Sequence, residues 1–317
     1  MSICPASSGP VRLFVIGSMV VACSAQVENC PEPGETLAAT AFVMEAGGKG
    51  FNVALAAHRL GVAVDGLFAV GDDPAGAFLR GAFVGHGLDE SLLLTVEAGT
   101  GAGIGLIQAD GENRIAVYPG ANTALLADHV TERVERVRNA QLVFAQFEAP
   151  DAPIAAAFAC AREAGAMTIL NPSPYRPIDS AILANTDLLI LNEQEAAALC
   201  ADRKEAGGYD RLAASFVLGP LSRGAKGVIV TRGPEGALAW WQGNRIEQPG
   251  LPVTAVDSIG AGDAFTGALI AAIGQGDAFA TALRRGCAAG ALATTRLGLA
   301  SALPDRRQIE KALASWN

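Results

Sequence analysis

Short, unbroken runs of apolar residues recur along the chain, and segments with helical spacing separate most of them. The runs include residues 11–16, 142–145, 167–170, 188–191 and 227–231. Strands that are covered on both faces have this composition, which is typical of parallel sheets. Helices between consecutive strands give right-handed βαβ connections. The pattern therefore predicts an α/β fold with a doubly wound, mainly parallel sheet.

The other regular elements follow from the same periodicities. A strand is expected at residues 64–70, and a late hairpin at residues 237–241 and 245–248. The segments with helical spacing are residues 52–60, 74–84, 128–137, 151–163, those around 181, 193–200, 212–221, 260–273, 277–294 and 305–315. These helices would cover both faces of the sheet.

Two stretches interrupt the alternation. Residues 18–46 mix β-forming residues with prolines and a glycine and lack helical period. Residues 91–118 contain successive strand-like runs with no helix between them, at 91–96, 101–108 and 114–118, and a hairpin loop at 110–113. We therefore expect both stretches to form one small sheet, separate from the main sheet.

Composition limits the classes of protein to consider. The chain has 317 residues, of which 50% are hydrophobic and 17% charged, enough for one large domain with a sizeable core. Its net charge is −9, and no basic patch stands out, so we expect no nucleic-acid partner. Residues 1–10 lack the features of a secretory signal and are expected to form a loose tail before the domain at 11–317.

The expected compartment follows from the cysteines and the hydropathy. Six cysteines are scattered without a C-x-x-C pair, which argues against a zinc or redox motif and is typical of reduced thiols in a cytoplasmic protein. No apolar run reaches the length that spans a membrane, so we expect no membrane partner.

The most informative stretch is residues 257–263, Asp-Ser-Ile-Gly-Ala-Gly-Asp, which leads into a small and apolar helix. Gly260, Ala261 and Gly262 lack bulky side chains, so backbone N–H groups can converge on an anion at the positive end of the helix dipole. A carboxylate at this place, Asp263, repels an anion unless it takes a proton from a nucleophile that attacks that anion. The alternative is an N-capping aspartate on a glycine turn.

A second candidate cradle lies near the N-terminus. Gly47-Gly48-Lys49-Gly50-Phe51-Asn52 surrounds a lysine with glycines at the start of a helix. The alternative is a plain loop-to-helix junction with a solvent-facing lysine. Polar residues also stand at the carboxyl ends of strands, where α/β sheets bind ligands. They are Gln146, Glu148, Asn171, Asn192, Glu195 and Thr231. The alternative for Glu148 is a cap of the helix that follows Pro150.

The two glycine stretches, in their order and separation, resemble the paired signatures of the PfkB, or ribokinase-like, carbohydrate kinases. Residues 192–195, Asn-Glu-Gln-Glu, resemble the N-x-x-E motif of that family, and residues 231–236 resemble its T-x-G-x-x-G nucleotide loop. P-loop and dinucleotide fingerprints are absent from the sequence. The resemblance runs from residue 11 to the C-terminus. It implies a three-layer α/β/α fold whose small sheet is a lid.

The resemblance also implies an activity, the transfer of the γ-phosphate of ATP to an alcohol group of a sugar. Asp263 would be the base, and the N–H groups of Gly260, Ala261 and Gly262 would hold the charge on the phosphate. The acceptor would contact Gly48, Lys49, Asn52 and Glu148 as well as Asp263. The nucleotide would contact Asn192, Thr231, Gly233, Gly236 and Gly262.

Two cations are implied in the same way. Asn192 and Glu195 would organise Mg²⁺ through water. A potassium ion would lie against the main chain of Asp257, Ile259, Ala293, Arg296 and Gly298. An exposed edge of the lid sheet favours pairing with a second subunit, so a homodimer through the lid is expected.

The chain differs from ribokinases where the acceptor is chosen. In ribokinases, the segment after the first strand carries Asn and Asp residues that bind sugar hydroxyls, and the matching positions here are Val20 and Ala22. Each sugar hydroxyl that loses such a partner weakens binding of the sugar by about 1–3 kcal/mol. This loss argues against ribose as the acceptor. The acceptors left open are a less hydroxylated sugar, a nucleoside and a phosphosugar whose phosphate meets Arg114. The alternative for Arg114 is a solvated strand residue.

A second hypothesis is a sugar-binding regulator on a kinase fold, with Val20 and Ala22 marking a decayed site. Fold alone does not fix function. Retention of the Gly-Ala-Gly-Asp and N-x-x-E sets in this sequence favours the enzyme.

Overall fold

The computed structural model of the chain describes residues 9–108, 113–202 and 226–316. The strands in these residues are β1 Arg12–Ile16, β2 Val20–Val27, β3 Ala41–Gly47, β4 Ala63–Gly71, β5 Leu93–Val96, β6 Ala102–Gln108, β7 Asn113–Tyr118, β8 Leu142–Gln146, β9 Met167–Asn171, β10 Leu188–Asn192, β11 Gly227–Thr231, β12 Ala237–Trp241 and β13 Asn244–Gln248. The α-helices are α1 Lys49–Arg59, α2 Pro74–Gly85, α3 Ala127–Thr131, α4 Val134–Arg138, α5 Asp151–Glu163, α6 Ser180–Ala184, α7 Glu193–Asp202, α8 Ala261–Gly274, α9 Phe279–Ala293 and α10 Arg306–Ser315.

The main sheet has nine strands in the order β13-β12-β11-β10-β9-β8-β1-β4-β5, and all pairs from β11 to β5 are parallel. Along β1, Leu13 and Val15 belong to one apolar cluster, and Phe14 and Ile16 belong to another. The side chains of a strand alternate between faces, so each face of the sheet carries its own core. The predicted doubly wound α/β fold is confirmed.

The small sheet, which we call the lid sheet, has the order β3-β2-β6-β7. The pair β2–β6 is parallel and the other two pairs are antiparallel. Residues paired across strands share a face. Glu45, Ala22, Gly103 and Val117 form one such row, and we call the face that carries this row the site face of the lid sheet. The next row, on the outer face, is Met44, Cys23, Ile104 and Ala116.

Two sequence-based expectations about these elements are wrong. The run at residues 91–96 is not a lid strand, because β5 pairs in parallel with β4 at the edge of the main sheet. The helix α2 makes the crossover between β4 and β5, so this run completes a βαβ unit. The single helix expected at 128–137 is two short helices, because Arg133 leaves the helical region at φ −112° and ψ 17°.

Some expectations fall outside the described residues. They are the helix at 212–221, the hairpin loop at 110–112 and most of the N-terminal tail.

A buried amide joins the lid sheet to the main domain. The Asn122 side chain is 1% exposed. Its Nδ2 donates to the carbonyls of Met19 and Pro119, at 3.0 and 2.8 Å, and its Oδ1 accepts from the Met19 N–H at 2.9 Å. Met19 precedes β2 and Pro119 follows β7. One side chain therefore holds the start of the first lid segment, β2–β3, to the end of the second, β6–β7.

Candidate active site

Asp263 lies in the first turn of α8, at the carboxyl side of the main sheet. Its side chain is buried, with 7% exposure, whereas Gly262 is exposed and Gly260 and Ala261 are half-exposed. Gly260 is the N-cap residue, in the left-handed region at φ 79°, and it has no side chain that could cap the helix. The Ala261 N–H makes a long bond of 3.3 Å to the Ser258 carbonyl. The helix N-terminus is therefore open to solvent directly beside a buried carboxylate.

Asn52 is the hydrogen-bond partner of this carboxylate. Its Nδ2 donates to Asp263 Oδ2 at 2.8 Å. Burial raises the pKa of Asp263, while the Lys49 ammonium and the bond from Asn52 oppose the increase. The Oδ1 atom of Asn52 is also buried, and it has no hydrogen-bond partner among the residues that the structure describes. Buried polar atoms nearly always have a hydrogen-bond partner, so we expect a bound ligand to supply the donor for this atom.

Lys49 is the cation of the site. Burial alone would lower the pKa of its ammonium, but Asp263, Glu148 and Glu195 together raise it. The pKa of Asp263 is raised mainly by burial, with smaller contributions from the nearby Glu148 and Glu195 carboxylates. The pKa of Lys49 is raised because the same three carboxylates surround its ammonium group.

Glu148 ties three chain segments together. Its Oε2 accepts from the Ser18 hydroxyl at 2.5 Å and from the Lys49 N–H at 3.0 Å. Gln146 Nε2 donates to the same hydroxyl at 3.0 Å, and its Oε1 accepts from the Glu148 N–H at 2.7 Å. The hydrogen bonds of the Glu148 carboxylate within the described residues thus go to Ser18 and Lys49, and none goes to the N-terminus of α5. The sequence reasoning missed Ser18, although its place directly after β1 was a usable signal.

The glycines around Lys49 are required by packing. Gly48 has φ 104°, and a Cβ there would lie 2.8 Å from the Ser18 carbonyl oxygen. A Cβ on Gly50 would lie 2.2 Å from the Cα of Gly17. These glycines let the loop approach the end of β1, which brings Lys49 to Glu148.

Gly262 is different. Its φ is not in the left-handed region, and a Cβ would meet nothing within 4 Å in the described part of the chain. Neither backbone conformation nor packing therefore requires glycine at this place. The missing side chain leaves space open at the N-terminus of α8, next to Asp263.

The predicted nucleotide residues lie at the ends of β10 and β11, where Asn192 and Thr231 are paired in register. Asn192 Oδ1 accepts from the Glu195 N–H at 2.8 Å, and Glu195 Oε2 accepts from the Asn192 N–H at 2.9 Å. This reciprocal pair is a capping box at the start of α7. Each side chain uses one oxygen in it.

The turn after β11 contains two glycines in the left-handed region. Gly233 has φ 53° and open space around its Cβ position. Gly236 has φ 92°, and a Cβ there would lie 2.1 Å from the Gln248 carbonyl oxygen. Gly236 is therefore explained by backbone packing, while Gly233 leaves room above the strand end.

The segments predicted to hold potassium are in contact. Asp257 Oδ1 accepts from the Ile259 N–H at 2.9 Å, and Oδ2 from the Gly298 N–H at 3.5 Å. The N–H of Asp257 donates to the Thr294 carbonyl at 3.1 Å, next to Ala293. Arg296 is exposed. One buried carboxylate thus links the loop before α8 to the loop after α9.

Comparisons with known proteins identify the family of the chain. A family model described as the pfkB family carbohydrate kinase matches residues 11–306. A ribokinase of Haemophilus influenzae is 31% identical over 306 residues, which cover 93% of this chain and 96% of that protein. A deoxyribokinase of Salmonella typhi is 29% identical over 305 residues, which cover 95% of this chain and 98% of that protein.

A solved structure, that of Arabidopsis thaliana ribokinase complexed with ribose and ATP, has a TM-score of 0.84 at 30% identity and covers 96% of this chain and 99% of that chain. Within the part of the chain that the structure describes, no helix is long and apolar enough to cross a bilayer. The resemblance inferred from the two glycine motifs is confirmed. The chain belongs to the pfkB family and is a ribokinase-like carbohydrate kinase.

Proposed function

We propose that the chain transfers the γ-phosphate of ATP to an alcohol group of a sugar, with Asp263 as the base. The observation that carries this proposal is the combination of a buried carboxylate, a helix N-terminus whose N-cap is a glycine, and open space at Gly262. A nucleophile between these groups loses its proton to the carboxylate while N–H groups hold the negative charge of the phosphate. ATP as the donor agrees with the complex of the Arabidopsis relative.

The reaction balances with the chain's own groups. The acceptor hydroxyl gives its proton to Asp263 while its oxygen forms a bond to the γ-phosphorus, and the bond from that phosphorus to the bridging oxygen breaks to leave ADP. The unpaired Asn52 Oδ1 would accept a hydrogen bond from the sugar and help to align it. The Lys49 ammonium would keep Asp263 ionised and offset the charge that accumulates on the phosphate.

We propose that the reaction uses two cations. The described residues contain no group of three His, Cys, Asp or Glu that could hold a metal ion, and Mg²⁺ commonly binds through substrate phosphates, water and one or two carboxylates. Asn192 and Glu195 would hold Mg²⁺ through water, where it would neutralise phosphate charge. The main chain of Asp257, Ile259, Ala293, Arg296 and Gly298 would hold K⁺. ADP release measured with a chelator, and with Na⁺ in place of K⁺, tests both cations.

Two alternatives to a simple sugar acceptor have less support. The phosphosugar alternative needs Arg114 at the site, but Arg114 pairs with Leu106 in a row on the outer face of the lid sheet. The decayed regulator would not need a carboxylate whose burial raises its pKa. A nucleoside remains an alternative acceptor.

We propose a cytoplasmic location, in line with the reduced thiols expected from the sequence.

We also propose a homodimer through the lid sheet. Its outer face exposes Phe42, Met44 and Ile104 at 64, 51 and 61%. Exposed apolar patches of this kind commonly mark interfaces. Sedimentation velocity should give twice the mass of the chain, and Ile104→Asp should give monomers. A monomeric wild type would refute this arrangement.

Asp263→Asn tests the base. We expect kcat to fall by a factor of about 100 or more, because general-base catalysis contributes about 10²–10⁴-fold. Stability at pH 7 should not fall. Burial raises the folded-state pKa of this carboxyl, so ionisation above its unfolded-state pKa opposes folding, and the amide removes that cost. Urea unfolding and ADP release measure the two effects. The exposed Asp128→Asn is the matched control, and substantial turnover in Asp263→Asn would remove Asp263 as the base.

Lys49→Met tests the electrostatic coupling in the site. The Lys49 ammonium lowers the pKa of Asp263, so its removal should raise that pKa further. The base acts when ionised, and activity is lost as the pH falls through its pKa. We therefore expect the acidic limb of the kcat/KM profile to move to higher pH in Lys49→Met and to stay in place in Lys49→Arg. An unmoved limb in Lys49→Met would contradict the coupling.

Gly262→Ala tests the space at the helix N-terminus. The methyl group would project into that space and impede the phosphate, so we expect kcat/KM for ATP to fall by about 10-fold or more, in line with the effect of small misplacements. Folding stability should be unchanged or higher by about 0.5 kcal/mol, because alanine restricts the unfolded chain. Gly81→Ala on α2 is the control, since Gly81 also has open space at its Cβ position. Equal kinetics of the two variants would argue against a phosphate at Gly262.

A further inference from the structure

The lid side of the acceptor site is apolar. Val20 pairs in register with Gly47, and Ala22 with Glu45, so both lie on the site face of the lid sheet. Ala22 Cβ is 3.0 Å and Val20 Cγ2 is 3.9 Å from the position that a Cβ on Gly47 would take. Gly47 directly precedes Gly48 and Lys49. The strand β2 therefore presents two apolar side chains to the start of the loop that carries Lys49.

Leu299 approaches the same place from the opposite side. Its Cδ1 lies 2.9 Å from the Cβ position on Gly47, and its Cδ2 lies 3.1 Å from the Cβ position on Gly260. The isobutyl group thus extends from the base of the lid to the first residue before α8, and Leu299 is half-buried. We call Leu299, Val20 and Ala22 together the apolar wall. The wall lies between the lid sheet and the helix that carries Asp263.

Glu45 holds Leu299 in this place. Its Oε1 accepts from the Leu299 N–H at 2.5 Å, and its Oε2 accepts from the Ser301 N–H at 3.4 Å. Glu45 is the carboxylate in the cross-strand row of Ala22, yet its oxygens are directed to the main chain of residues 299 and 301. The group in this row that could bind a sugar hydroxyl is therefore used to position a leucine.

We infer that the apolar wall selects a deoxy sugar, an acceptor whose lid-facing edge carries hydrogen or methyl in place of a hydroxyl. Leu299 is then a specificity-determining residue, and Glu45 is a positioning residue that acts through it. The inference rests on the acceptor site proposed above. A hydroxyl against the wall would lose its hydrogen bonds to water and gain none from these three apolar side chains. Apolar pockets discriminate against one added hydroxyl by about 100-fold, so the preference should be clear and not absolute.

The experiment compares acceptors in pairs that differ by a single hydroxyl and both keep a primary hydroxyl. Suitable pairs are D-ribose with 2-deoxy-D-ribose, D-glucose with 2-deoxy-D-glucose, and D-fructose with 1-deoxy-D-fructose. ADP release gives kcat/KM for each, and calorimetry gives the affinity of each sugar. We expect the deoxy member of at least one pair to have the higher kcat/KM, by a factor of about 10 to 100.

Variants connect the preference to the wall. Leu299→Ala should bring the ratio of kcat/KM within that pair close to one, because the pocket then admits water beside a hydroxyl. Ala22→Asp should reverse the ratio by supplying a hydrogen-bond acceptor. Glu45→Gln should lower the ratio and leave the KM for ATP unchanged, which a general loss of structure would not do. Leu126→Ala, at a leucine that is 54% exposed, is the matched control and should keep the wild-type ratio.

The outcomes separate this inference from the proposed function. A hydroxylated sugar that is equal or better in every pair would overturn the inference while the kinase proposal stands. Tighter binding of deoxy sugars without ADP release would support the inference and overturn the proposed catalysis. Failure of every sugar to bind would overturn the inference and leave the nucleoside as acceptor.

Discussion

The proposed catalysis depends on an ionised Asp263 carboxylate in a place from which water is largely excluded. Burial alone favours the neutral acid, as the raised pKa indicates. Two groups from α1 oppose this effect, the amide of Asn52 and the ammonium of Lys49. In the proposed reaction, an aspartate with a raised pKa is better suited to accept a proton than an exposed aspartate. Both groups reach the carboxylate because α1 packs closely against α8.

The close approach of these helices has a simple steric cause. A Cβ on Gly267 in α8 would lie 2.4 Å from the Cβ of Ala56 in α1. The absence of a side chain at Gly267 thus lets the two helices pack closely on the same face of the sheet. Asn52 lies one turn before Ala56, and Asp263 one turn before Gly267, so the contact sets the distance between amide and carboxylate. Motifs separated by about two hundred residues in the sequence become neighbours for this reason.

The sequence was informative where one physical factor dominates. Apolar runs predicted the central strands, because a strand covered on both faces has no polar side. The edge strand β5 was assigned to the wrong sheet, because a short apolar run has the same sequence pattern in a β-hairpin as in the last strand of a βαβ unit. The site residues near Asp263 were predicted from glycine-rich motifs. Leu299 was not predicted, because leucine is a common residue and its contact with Gly47 is visible only in the tertiary structure.

A motif mixes residues that the fold requires with residues that a ligand requires, and the structure separates the two kinds. Gly48 and Gly50 are explained by contacts with the end of β1, and the Asn192–Glu195 pair caps a helix. None of these features would change if the protein bound nothing. The open Cβ position of Gly262 and the unpaired Oδ1 of Asn52 have no such structural reason. A fold that bound no ligand would be more stable with an alanine at position 262 and with a hydrogen-bond donor beside Asn52 Oδ1. These two features therefore carry more weight for function than the match to the motifs.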